Sequence, residues 1–211
     1  MTIKTFTVNG FAINAFIISD ETKECIFIDP GYNNPEEEEK LTRYVSENNL
    51  KPVMVLNTHC HVDHVLGNKF VCEKYNIPLA AHKDDSFLLA HANEMGKIFG
   101  LKVQSSPEIQ NFIIDNDVIK FGNSELIVFH TPGHSPGSVS FYSPKDKIVI
   151  AGDVLFTGSI GRTDLPGGNY ETLIGSIKNK LMVLPSDTVV YPGHGPSTTI
   201  GHEHDTNPFL Q

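Results

Sequence analysis

Residues 57–68 read NTHCHVDHVLGN, and His59, His61, Asp63 and His64 fall within six positions of one another. The apolar run VMVL at 53–56 comes directly before, so these titratable groups stand where a strand is expected to end. Histidine contributes 10 of the 211 residues. Four specified His or Asp positions then arise by chance on the order of once in a thousand such chains. A packed core has no use for such a cluster, whereas a metal ion has. His59 and His61, two apart, lie on the same side of extended chain and can grip one ion. Asp63 and His64 fall at the turn into the next helix and point toward a second ion nearby. Imidazole and carboxylate suit Zn²⁺, and also Fe or Mn, while a closed structural zinc site would draw more on thiolates. Alternation turns Cys60 away from its flanking histidines and into packing.

Outward from this stretch, strand and helix signals alternate. AFIISDETKECIFIDPG reads as a hairpin closing at Asp29, followed by a helix over Pro35–Asn49 whose acids Glu36 to Glu39 sit where a helix dipole favours negative charge. The strand VMVLN, a helix from His64 to about Tyr75, the strand IPLAAH and a helix from about Asp84 to Phe99 complete a first series. A second series repeats the plan: strands VIKFG and ELIVFH, then SVSFYSPKDKIVIAGD, which is again strand, charged turn, strand and closing aspartate, here Asp153. A helix at YETLIGSIKNKLMVL and a strand at TVVYPGH follow. Two such halves predict an α/β fold, a four-layer αββα sandwich of two sheets face to face with helices outside. With no linker between the halves, residues 1–211 are expected to form a single domain, and polar clusters at the strand ends of both sheets to share one site.

Charge and composition exclude several roles. Lys and Arg number 16 against 25 Asp and Glu, a formal charge of −9, which disfavours a nucleic-acid partner. No apolar run reaches the ~18 residues of a membrane span, and the N-terminus lacks a secretory cleavage pattern. Cys25, Cys60 and Cys72 are odd in number and form no C-x-x-C pair, which points to a reducing compartment, the cytoplasm.

THCHVDH matches the T-H-x-H-x-D-H signature of the metallo-β-lactamase superfamily. The chain resembles that family in order along nearly its whole length, through Asp29, His134 in TPGHSPGS, Asp153 in AGDVLF and His194 in PGHG. The resemblance implies the αββα sandwich and two divalent metal ions, zinc above all. His59, His61 and His134 would bind the first, Asp63, His64 and His194 the second, and Asp153 would bridge both, with Asp63 and Asp153 part of the catalytic apparatus. Asp29 resembles a buried aspartate that orients ligands.

Asp153 at the bridging position separates the chain from true metallo-β-lactamases, which resemble it but place Cys or Ser there. The nearest resemblance is to the short, single-domain members of the glyoxalase II group, the hydroxyacylglutathione hydrolases. This implies hydrolysis of a small-molecule thioester by a metal-bridging hydroxide, a thiolate leaving with a conjugate-acid pKa near ~8.5. The chain ends about 17 residues past His194, so the helical glutathione-binding domain of the larger members is not expected, and GRTD at 161–164 keeps a cation but no tyrosine. Arg162 is the candidate for a substrate carboxylate. Persulfide dioxygenases resemble the chain as well, and imply instead one iron on His59, His134 and Asp153. Of the other histidines, His82 and His130 end strands near the site, His91 is expected to be structural, and His202 and His204 to lie in an exposed tail.

Overall fold

The computed structural model describes residues 1–211. Strand β1 (Thr2–Val8) pairs antiparallel with β2 (Ile13–Ser19), and β2 with β3 (Glu24–Ile28). Helix α1 (Pro35–Glu47) returns the chain to β4 (Lys51–Leu56), parallel to β3. Pro35 opens α1, and the Asn34 side chain caps it by accepting the Glu37 N–H at 3.0 Å, so the acids of its first turn lie where expected. Next come α2 (Val62–Val65), α3 (Asn68–Tyr75), β5 (Leu79–Ala81), α4 (Ser86–Ile98) and β6 (Asn111–Phe112). β1 to β6 form a six-stranded mixed sheet in sequence order.

The second sheet holds β7 (Val118–Phe121), β8 (Ser124–His130), β9 (Val139–Ser143) and β10 (Ile148–Gly152) as an antiparallel series. After a small hairpin, β11 (Leu155–Phe156) and β12 (Ser159–Ile160), helix α5 (Tyr170–Ser176) continues into a π-turn over Ile177–Leu181. It leads to β13 (Val189–Pro192), parallel to β10, then β14 (Thr198–Thr199) and α6 (Ile200–Thr206). The sheet order is β14-β13-β10-β9-β8-β7. Each half thus carries an antiparallel hairpin followed, through a helix, by a parallel strand.

The strands of the middle are apolar on both faces because both faces are covered. In β2 and β3, Phe16, Ile18, Ile26 and Ile28 meet Leu126, Val128, Phe141 and Ile150 of the other sheet. The alternate residues Ala15, Ile17, Cys25 and Phe27 pack outward on Leu41 and Val45 of α1 and Val71 of α3. On the other outer face, Val149, Ala151 and Val190 meet Leu173, Ile177 and Leu181. Each fully buried Ile, Leu or Phe contributes about 1.5–3 kcal/mol. Helix, sheet, sheet, helix is the predicted four-layer order.

Two local readings needed correction. β1 and β6 were not anticipated. The helix expected from His64 to Tyr75 is two helices broken at Leu66 and Gly67, because Gly67 donates its N–H to the Pro30 carbonyl at 2.7 Å and a Cβ there would lie 2.4 Å from that oxygen. His202 and His204 are exposed as expected, and the tail that carries them forms α6, pinned by the fully buried acid Glu203 between them. The Glu203 carboxylate accepts from Thr198 Oγ1 (2.6 Å), Gly158 N (2.9 Å) and Asn207 Nδ2 (2.8 Å).

Candidate metal centre

Strands β3 and β4 run parallel, as do β10 and β13, and β8 points the same way as β10 through two antiparallel steps. Asp29, His59, His134, Asp153 and His194 each follow the carboxyl end of one of these five strands. The sheets are stitched at this edge by Asn14, whose N–H bonds Gly193 O (2.7 Å) and whose amide bonds Pro192 O (3.0 Å) and Gly195 O (2.8 Å). His61 precedes α2, and Asp63 and His64 occupy that helix's first turn.

Two groups of ligand atoms result. In the first, His134 Nε2 lies 3.3 Å from His59 Nε2 and 2.9 Å from His61 Nδ1. In the second, His194 Nε2 lies 3.4 Å from His64 Nε2 and 3.3 Å from Asp63 Oδ2. Asp153 Oδ2 stands between them, 3.6 Å from His134 Nε2 and 3.5 Å from His194 Nε2. Nitrogens around a tetrahedral ion at 2.0–2.1 Å are separated by about 3.3 Å, so both groups are spaced for a cation at their centre. Asp153 Oδ1 is buried and has no hydrogen-bond partner, although buried carboxylate oxygens are otherwise satisfied. The donor set therefore fits divalent metal.

The outer nitrogens fix which face of each ring is free to bind. His64 Nδ1 faces Asp29 Oδ2 at 3.0 Å, His134 Nδ1 faces Arg162 O at 2.8 Å, and His194 Nδ1 faces Phe11 O at 3.1 Å. His59 Nδ1 lies 3.1 Å from Thr58 Oγ1, which itself donates to Asp29 Oδ2 at 2.5 Å. With Nδ1 as the proton-bearing nitrogen in all four neutral rings, each Nε2 is the nitrogen left to face a cation. Asp29, wholly buried and at φ 49°, thus acts on both groups, directly on His64 and through Thr58 on His59. The asparagines that bracket the motif, Asn57 and Asn68, bond each other reciprocally at 2.8 and 3.3 Å and hold the loop closed.

Charge differs between the groups. Burial and neighbouring histidines drive His59 well below the ordinary imidazole value and His61 down to about 3; burial also lowers His134. His64 goes the other way: Asp153, Asp63 and Asp29 overcome its burial and hold it well above the ordinary value. His194 rises to about 9, its burial outweighed by Asp153 and Asp63. Asp63 and Asp153 both end below the ordinary carboxylate range, since His64 and His194 outweigh the upward push of burial.

Arg162 lies on the wall of the cavity, exposed, with Nε and Nη2 both 2.7 Å from the Asp164 carboxylate. Its carbonyl, not its guanidinium, touches a candidate ligand, His134. Cys60 is buried among Val62, Val65 and Ala92. His82 and His130 stack on each other at 4.2 Å, and His130 Nε2 reaches Pro136 O at 2.9 Å in the His134 loop. His91 is exposed on α4.

Several contributors went unread in the sequence. Asp85, fully buried, accepts from Cys60 N (2.9 Å), Ser135 Oγ (2.8 Å) and Gly137 N (2.6 Å), clamping the His59–His61 loop to the His134 loop. Burial pushes its carboxyl above the ordinary range against those hydrogen bonds. Gly193 is the other, since a Cβ there would stand 2.1 Å from Asp153 Oδ1 and 2.8 Å from His64 Cε1.

A two-sheet αββα fold with paired His/Asp clusters on one edge defines a metallo-hydrolase type of centre. Residues 8–194 match the family model described as the metallo-beta-lactamase superfamily, and the chain belongs to that superfamily. Among relatives, it is 44% identical over 198 residues to the probable metallo-hydrolase YqgX of Bacillus subtilis, covering 92% of this chain and 90% of that protein. It is 37% identical over 217 residues to the hydroxyacylglutathione hydrolase GloC of Haemophilus influenzae, covering 100% and 98%. Among solved structures, BLEG-1 B3 metallo-beta-lactamase superposes with TM-score 0.91 at 37% identity over the full length of both chains. TTHA1623 in a di-iron-bound form gives 0.88 at 38% identity, covering 98% and 100%. ETHE1 from Myxococcus xanthus gives 0.80 at 25% identity, covering 99% and 84%. No helix is long and apolar enough to cross a membrane.

Proposed function

We propose that this enzyme hydrolyses small-molecule thioesters with two divalent ions, zinc foremost, held by His59, His61 and His134 on one side and Asp63, His64 and His194 on the other. The observation that carries the reading is Asp153, one carboxylate oxygen within 3.6 Å of a nitrogen from each group. The likeness to a hydroxyacylglutathione hydrolase supports the substrate class. When bound, such ions lower the pKa of water from 15.7 to about 7 and polarise a carbonyl. Asp153 joins the two groups as a carboxylate at neutral pH. Asp63, on the cavity wall and also ionised, accepts a hydrogen bond from the attacking water and orients it. The leaving thiolate needs little protonation, in keeping with a wall that offers no lysine. Arg162 contributes to substrate binding only by exchanging Asp164 for a substrate carboxylate, one ion pair for another. Residues 1–211 act as one domain. The three unpaired, buried cysteines favour the cytoplasm.

A second reading rests on His59, His134 and Asp153, which lie within 3.6 Å along the chain of contacts and could hold a single iron, as a persulfide dioxygenase would. Purified protein of measured metal content, assayed on a thioester, a β-lactam and a thiol persulfide with an oxygen electrode, separates these. Thiol release from the thioester without oxygen uptake is expected; oxygen uptake with the persulfide on one bound iron would sink the hydrolase reading, and β-lactam cleavage alone would replace its substrate.

A further inference from the structure

Beside the histidine groups lies a cavity of about 600 Å³, a size that suits a small ligand. Its far wall is apolar: Leu88 and Met95 from one face of α4, then Phe99, Phe11 from the β1–β2 turn, Phe156 from the small hairpin and Leu165. Phe11 and Phe99 meet edge to face at 5.4 Å, and the two residues stay 36% and 51% exposed. Residues of that size and exposure, gathered on one wall rather than scattered, mark a surface that an apolar group covers. Leu88 and Met95 are spaced like a core-facing stripe and pack in part on the cluster of Cys60, Val62 and Val65, yet both stay half-exposed and line the cavity.

The charged side of the cavity tells the same story by subtraction. Its histidines and aspartates are the candidate metal ligands. The one other charged residue of the lining is Arg162, already held in a two-point contact with Asp164. Glutathione carries two carboxylates and an ammonium, and this wall offers them no free cation and no unused acid.

Building on the thioesterase reading, we propose that the substrate is a thioester with an apolar chain or ring on one side of the scissile bond, seated against Leu88, Met95, Phe99 and Phe11. The wall acts on specificity: it removes apolar surface from water in the bound state, and each methylene fully covered should raise kcat/KM by up to about fourfold.

The test uses the zinc-loaded protein and two substrate series. One lengthens the acyl group from acetyl to octanoyl on the uncharged thiol N-acetylcysteamine; the other keeps acetyl and changes the thiol from N-acetylcysteamine to benzyl mercaptan. S-lactoylglutathione is run alongside. A rise of at least about tenfold along either series is expected, the responding series naming the side of the bond that the wall receives. Phe99→Ser with Met95→Gln should collapse that rise. Two flat series, or S-lactoylglutathione as the best substrate, would overturn the inference while leaving thioester hydrolysis intact. If no thioester is cleaved, the thioesterase reading fails, and calorimetry of octanoate against acetate decides the wall separately. Octanoate binding about tenfold tighter supports it, and equal affinities overturn it.

Discussion

His59, His61 and His134 on one side, and His64, His194 and Asp63 on the other, share Asp153 and have nearly the same spacing, yet they are prepared for a cation in opposite ways. The first set is three imidazoles buried together, and burial above all, helped by neighbouring imidazoles, keeps protons off them, so it stays neutral at ordinary pH. The second set mixes imidazoles with carboxylates, and without a cation the imidazoles hold protons in its place, His194 up to about pH 9. An ion entering the first set displaces no protons near neutrality, whereas an ion entering the second must. On the proposed two-ion reading, similar geometry therefore predicts one set that loads readily and one whose loading is coupled to pH.

The most severe way to break this pairing is to remove what joins it. Asp153→Asn leaves the shape but takes the charge from between the sets, and kcat/KM should fall by about 1000-fold or more, with metal analysis showing loss of the second ion before the first. An enzyme that keeps both ions and its rate would show that the carboxylate is not shared. Asp29→Ala strikes the sets unequally, because Asp29 holds His64 directly and His59 only through Thr58. Chelator competition should show affinity lower by about 10–100-fold, with the larger part in the second set.

A pH series sharpens the contrast without any mutation. Equivalents of zinc bound should rise from about pH 6 to pH 9 for the second set and stay flat for the first. The metal-free protein should respond with matching signs. His194, raised to about 9, gives stability that is full below its unfolded value near 6.5 and lost as pH climbs toward 9. His61, lowered to about 3, does the reverse: the unfolded chain takes up its proton below about 6.5 while the folded one does not, so stability falls as the solution is acidified. Thermal melts of metal-free protein should peak between these limbs. The smallest effect belongs to Arg162→Ala, less than about fivefold in KM, since its exposed guanidinium already pairs with Asp164.

These expectations also mark how far the chain could be read. The candidate ligand clusters were legible because each comes after a strand and carries residue types that a core does not need. The apolar runs of β2, β3, β9 and β10 announced sheets covered on both faces. β1 escaped because TIKTFTV is largely exposed, and β6 because two residues leave no pattern. The break at Gly67 depends on Pro30, a contact that local periodicity does not contain. Asp85 looked like an acid at a helix start. In the fold its side chain caps nothing and turns instead to Cys60, Ser135 and Gly137, partners set by long-range packing.

The central claim is that two ions, joined through Asp153, act together on a thioester. Thioester hydrolysis measured against added zinc, on metal-free protein at constant pH, tests it most directly. The account predicts that the rate stays low through the first equivalent and climbs as the second set fills, ending at two equivalents. Full activity at one equivalent, or activity that needs iron and consumes oxygen, would contradict it.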